Sequence, residues 1–61
     1  MDARTTAAHL IADYVKIVKD FTMAKACALH HAESIQAEYD IDFDPGKHIL
    51  WKEIVNQIKT F

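Results

Sequence analysis

Cysteine and histidine are the side chains of this chain whose chemistry could support a metal site. Cys27 and His31 are four residues apart, so they share one face of a helix, and His30 precedes His31 directly. Zinc usually requires four ligands, drawn from more than one element. One helix supplies only two at this spacing, so a site would need another histidine or a second copy. We therefore predict no metal and no cofactor, and keep Cys27, His30 and His31 as candidates for an alternative, a metal-binding helical module.

Four acidic residues form a second group with chemical potential. Asp40, Asp42 and Asp44 alternate as ligands do at the start of an EF-hand loop, but Pro45 stands where that loop needs glycine. The departure disfavours a calcium loop. Together with Glu38, these three aspartates instead predict a negatively charged patch that docks a basic partner protein.

Catalytic arrangements find little support in the sequence. The chain holds one glycine, so a glycine-rich phosphate loop cannot form, and no nucleophile and base follow a recognised motif. We predict that the protein is not an enzyme. The face formed by His30, His31 and Ser34 is a second candidate for partner docking.

Composition and charge favour a small helical protein. The chain has 61 residues, of which 51% are hydrophobic and 26% charged, and its net charge is −2. So short a chain buries a small core, and its single cysteine excludes an internal disulfide. Nucleic-acid binding is disfavoured because the lysines and arginine are scattered, and no apolar run is long enough to span a membrane. The lone cysteine and the lack of a basic segment at residues 1–4 predict a cytoplasmic protein.

One stretch dominates the sequence. Residues 6–39 contain neither Gly nor Pro, and their apolar positions recur every three or four residues, which predicts a single long amphipathic helix over about 4–39. Its apolar stripe, the predicted self-association seam, consists of Leu10, Tyr14, Ile17, Phe21, Ala24, Ala28, Ala32 and Ile35.

A turn and a shorter helix complete the chain. Pro45 and Gly46 suit the centre of a type II turn, which predicts an acidic turn over 40–46 with Ile41 and Phe43 folded beneath it. A second amphipathic helix follows at about 47–60. Its apolar face consists of Leu50, Trp51, Ile54, Val55, Ile58 and Phe61.

The unequal helix lengths predict self-association. At 1.5 Å per residue, the first helix would be about 50 Å long and the second about 20 Å, so one chain cannot cover its own stripe. We expect a single all-α domain, residues 1–61, that forms a helical hairpin and pairs as an antiparallel dimeric four-helix bundle. In such a dimer Ile17 and Phe21 would face the small alanines of the other copy.

A break near residues 20–22 is the alternative, since Asp20 and Thr22 are both N-cap residue types. The chain would then form a three-helix bundle, an architecture that often binds DNA. A small DNA-binding transcriptional regulator is accordingly the alternative function, with a basic face built from Arg4, Lys16, Lys19 and Lys25.

The favoured function is protein–protein interaction. Because the apolar residues fill helix faces and no catalytic group is left over, we predict a cytoplasmic homodimer that acts as a regulator, inhibitor or adaptor for a protein partner.

Overall fold

Three α-helices make up the fold in the computed structural model, which describes residues 2–61. They are α1 (Ala3–Val18), α2 (Phe21–Glu38) and α3 (Pro45–Thr60), and each packs against the other two. The prediction of an all-α protein is confirmed. Met1, the first residue of the predicted domain 1–61, lies outside the described residues. Across residues 2–61, no helix combines the length and the apolar character needed to cross a bilayer.

The expected helix over 4–39 is divided in two. Lys19 adopts the left-handed conformation, with φ 57° and ψ 27°, and its N–H donates to the carbonyl of Val15 at 2.8 Å. Asp20 then caps α2, because its carboxylate accepts a hydrogen bond from the N–H of Met23 at 3.3 Å. The prediction of one continuous helix is therefore wrong, and the three-helix alternative describes the chain.

The core is built around the smallest side chains of α2. Ala24, Ala28 and Ala32 follow one another every four residues and have no exposed surface. Small residues at this spacing allow neighbouring helices to approach closely, and larger side chains from α1 and α3 fill the remaining space. The buried cluster consists of Ala7, Ile11, Ala28, Ala32, Ile54, Val55 and Ile58.

This burial divides the predicted self-association seam. The three alanines cannot contact a second copy while α1 and α3 of their own chain cover them. Leu10, Tyr14 and Ile35 are half-buried, whereas Ile17 is 73% and Phe21 51% exposed. The break at Lys19 is the physical reason, since it folds α1 back onto the alanine side of α2. In this fold the three alanines are thus covered within one chain, and the role of the seam in self-association stays a prediction.

The start of α3 also differs from the prediction. Asp44 is the N-cap of α3, accepting a hydrogen bond from the N–H of Lys47 at 3.2 Å, and Pro45 is the first helical residue. Proline is favoured there because the first helical N–H has no partner within the helix. Pro45 and Gly46 therefore belong to the helix, and the expected type II turn centred on them is absent.

The loop between α2 and α3 leaves its apolar side chains in water. Ile41 is 54% exposed and Phe43 90% exposed, so the prediction that they fold beneath the turn is wrong. The α3 helix begins directly after Asp44, and the chain reverses within the loop through hydrogen bonds from the N–H groups of Phe43 and Asp44 to the carbonyl of Asp40.

Two cations fix the C-terminal end of α3. Nζ of Lys25 donates to the main-chain oxygens of Lys59 at 3.2 Å and Phe61 at 2.7 Å. The guanidinium of Arg4 lies 4.0 Å from the ring centroid of Phe61 and donates to Oγ1 of Thr60 at 2.8 Å. The last carbonyls of a helix lack partners and carry the negative end of its dipole, so both cations stabilise this end.

Candidate functional site

An open groove of about 560 Å³ follows one side of α2 and is called here the α2 groove. Helix α2 supplies seven of its eight lining residues, and α1 supplies the remaining wall with Tyr14. The groove is lined by Tyr14, Met23, Ala26, Cys27, His30, His31, Ser34 and Ile35. It thus contains both the candidate metal ligands and the second candidate docking face.

A hydrogen bond joins the two helices across the α2 groove. Oη of Tyr14 and Nδ1 of His31 are 3.0 Å apart, and the two rings meet edge to face with centroids 6.0 Å apart. While Nδ1 of His31 carries no proton, the Tyr14 hydroxyl donates to it. The bond fixes the imidazole against α1 and occupies one of its two nitrogens.

The candidate metal ligands share the groove without forming a ligand set. Cys27 is half-buried, and His30 and His31 are exposed. Among residues 2–61, no three Cys, His, Asp or Glu side chains lie close enough together to hold a metal ion. Because Nδ1 of His31 is bonded to Tyr14, only its other nitrogen could bind a metal, and further ligands would have to come from another chain.

The α2 groove is suited to contact with apolar side chains. Met23, Ala26, Cys27 and Ile35 provide hydrocarbon and sulfur surface, and the hydroxyl of Ser34 already donates to the carbonyl of His30 at 2.9 Å. Every buried side-chain nitrogen or oxygen among residues 2–61 has a hydrogen-bond partner. A concave, mostly apolar surface of this kind is typical of binding rather than of proton transfer.

The acidic loop, residues 39–44, uses two of its predicted docking residues for its own structure. Oδ1 of Asp40 accepts from the N–H of Asp42 at 2.8 Å, and the Asp40 carbonyl accepts from the N–H groups of Phe43 and Asp44. The Asp44 carboxylate caps α3. Asp42 and Glu38 are exposed and have no such role, so they are the two acids of the predicted patch that remain free for a partner.

A second groove, of about 420 Å³, follows one side of α1, which supplies five of its seven lining residues, and is called here the Phe21 groove. No pattern in the sequence indicates this groove, because its lining residues are far apart in the chain and meet only in the folded structure. Lys16 is its only charged lining residue. The groove is lined by Ala8, Ile11, Ala12, Val15, Lys16, Phe21 and Phe61.

The basic face required by the DNA-binding alternative is partly occupied by internal contacts. Arg4 and Lys25 are engaged at the end of α3, as described above. Lys16 lines the Phe21 groove, and Lys19 forms the C-cap of α1. Two of the four cations are therefore engaged within the chain, which leaves Lys16 and Lys19 of this set for contact with a phosphate backbone.

Comparisons of the chain with protein-family models, curated proteins and solved structures found no match. The inference of function therefore depends on the surface of the protein itself.

Proposed function

We propose that this protein is a non-enzymatic helical module that self-associates and acts by binding another protein, as a regulator, inhibitor or adaptor. The apolar surface left outside the core is the observation that supports this most strongly. Large contiguous apolar patches on small proteins usually mark interaction sites. The exposed large hydrophobic side chains are Ile17, Phe21, Met23, Ile41, Phe43, Ile49 and Leu50.

Three of these side chains come from one corner of the molecule, the junction of α1 and α2. Ile17 belongs to the last turn of α1, and Phe21 and Met23 belong to the first turn of α2. Phe21 lines the Phe21 groove and Met23 lines the α2 groove. The apolar surface of the corner therefore continues into both grooves, and we propose it as the centre of the interaction surface.

We keep a cytoplasmic location as part of the proposal, on the ground that the fold uses no disulfide and Cys27 is the single cysteine of the chain.

Sedimentation equilibrium across a dilution series tests the proposal. We expect a mass above the 7.0 kDa of one chain that falls as the protein is diluted. Ile17→Glu and Met23→Glu should each weaken association about tenfold or more, because each places a charge in the apolar contact. Asn56→Glu is the control, because Asn56 is also polar and exposed but belongs to α3 and lines neither groove. A constant mass of 7.0 kDa would overturn self-association.

A further inference from the structure

We propose that the Phe21 groove binds the acidic loop of a second copy of this chain, with Phe43 as the inserted side chain. This inference rests on the self-association proposed above, and it names the two surfaces that meet.

The acidic loop holds Phe43 in a position suited to docking. Its N–H donates to the Asp40 carbonyl at 3.1 Å, and the following N–H, of Asp44, donates to the same carbonyl at 2.8 Å. The ring is nevertheless 90% exposed. A large aromatic side chain on a backbone that is already ordered loses little conformational entropy on binding.

The Phe21 groove offers matching chemistry. Phe21 and Phe61 both line it, and its volume of about 420 Å³ is in the range of ordinary ligand pockets. A third aromatic ring placed in the groove could pack edge to face against either one. Phe21 is itself 51% exposed, so insertion of a ring would also cover apolar surface that is now in water.

The charges around the two surfaces are opposite. The three aspartates of the loop, with Glu38 just before it, leave this surface negatively charged even with Lys47 beside Asp44. Lys16, by contrast, lines the groove, and Lys19 follows at the end of α1. Asp20 precedes Phe21 of the groove, but its carboxylate accepts a hydrogen bond from the N–H of Met23. Opposite charges on facing surfaces favour this pairing over others and orient it.

The geometry requires the two surfaces to come from different copies. Asp20 and Tyr39 cap opposite ends of α2, an 18-residue helix that is about 27 Å long. The loop therefore lies a full helix length from Phe21 of its own chain and cannot fill the groove beside it. Each copy offers one loop and one groove, so a reciprocal exchange would close a dimer and a head-to-tail contact would extend into a chain.

A charge-reversal mixing experiment tests the contact. Asp42→Lys reverses the charge at one position of the loop, and Lys16→Glu reverses the charge of the groove. Sedimentation equilibrium measures the association of each variant alone and then of the equimolar mixture. We expect each variant alone to associate about tenfold more weakly than the wild type. The mixture should regain association, because the reversed loop of one variant then meets the reversed groove of the other. Loss caused by unfolding would not be restored by mixing.

Phe43→Ala tests the aromatic anchor, and we expect it to weaken association about tenfold or more. Asn56→Ala is its control, because Asn56 is also exposed but belongs to α3 and lines neither groove. Glu33→Lys and Lys52→Glu are the controls for the two charge reversals, since both positions are exposed and outside the contact.

The outcomes distinguish the loop–groove contact from self-association itself. If the wild type self-associates and the loop and groove variants associate as tightly as their controls, the loop–groove contact is wrong and self-association stands. A wild type that remains at 7.0 kDa at every concentration would overturn both.

Discussion

Two sides of α2 carry alanines that have opposite environments. Ala24, Ala28 and Ala32 have no exposed surface, whereas Ala26 is exposed on the side that lines the α2 groove. Alanine is the best helix former at every one of these positions, so helix propensity cannot distinguish them. The side of α2 that carries Ala24, Ala28 and Ala32 therefore belongs to the core, whereas the side that carries Ala26 is open to solvent.

The largest expected effect on stability comes from placing a glutamate on the buried side of α2 and comparing it with a glutamate on the exposed side. Ala28→Glu would bury a carboxylate without a partner, at a cost of about 4 kcal/mol or more, which is about the whole stability of a domain this small. We expect this variant to be unfolded at 25 °C, and Ala26→Glu to change the free energy of unfolding by less than about 0.5 kcal/mol. Circular dichroism with urea titration measures both.

The opposite outcome would be informative. A folded Ala28→Glu protein that melts like the wild type would show that α1 and α3 do not cover the alanine side, and that it is available to a second copy.

A smaller effect is expected at the break that folds α1 back over the alanines. Lys19 has the only positive φ among the non-glycine residues described, a conformation that costs an L-residue about 1 kcal/mol. Lys19→Gly should therefore stabilise the protein by about 0.5–1 kcal/mol, and Asp20→Ala should destabilise it by about 1 kcal/mol through loss of the N-cap. Urea titration gives both values.

Asn at position 20 provides the control for the cap, because its side chain can accept the same hydrogen bond from Met23. Asp20→Asn should remain close to the wild type. If Lys19→Gly and Asp20→Ala shifted stability in the same direction, either Lys19 would not be in the left-handed conformation or Asp20 would not cap α2.

The helical content of the chain could be predicted from its sequence, but the break could not. The apolar stripe keeps its phase from Ile17 through Phe21 to Ala24, which favours one helix, and Lys19 is not a residue type that marks a left-handed C-cap. The left-handed conformation of Lys19 costs free energy, and the packing of α1 against α2 and α3 outweighs that cost. Because this packing joins residues that are far apart in the sequence, no local pattern reveals it. The start of α3 does have a local sequence signal, because Asp44 is an N-cap residue type and Pro45 suits the first position of a helix. The same residues also fit the type II turn that we predicted at Pro45 and Gly46.

The candidate site was predictable only where it lies on one helix. Cys27, His30 and Ser34 share a groove because of their helical spacing, whereas the participation of Tyr14 depends on the packing of α1. The exposure of Phe43 went against the sequence pattern, in which apolar residues between acids suggest a buried side. Main-chain hydrogen bonds hold this loop in place, and they require no burial of its side chains.

The smallest effect is expected at the start of α1, the helix that covers the alanine side. The Asp2 carboxylate accepts a hydrogen bond from the N–H of Thr5 at 2.7 Å, and this bond holds the pKa of Asp2 below its ordinary value of 3.8. Because the pKa is lower in the folded chain, the bond contributes stability above pH 3.8 and loses it as the pH falls through the folded value. Asp2→Asn keeps a capping side chain that does not titrate, so the melting temperatures of the two proteins should match near neutral pH and diverge in acid, with the wild type falling further. All other carboxyl groups are common to both proteins, so parallel acid profiles would show that the cap does not stabilise α1.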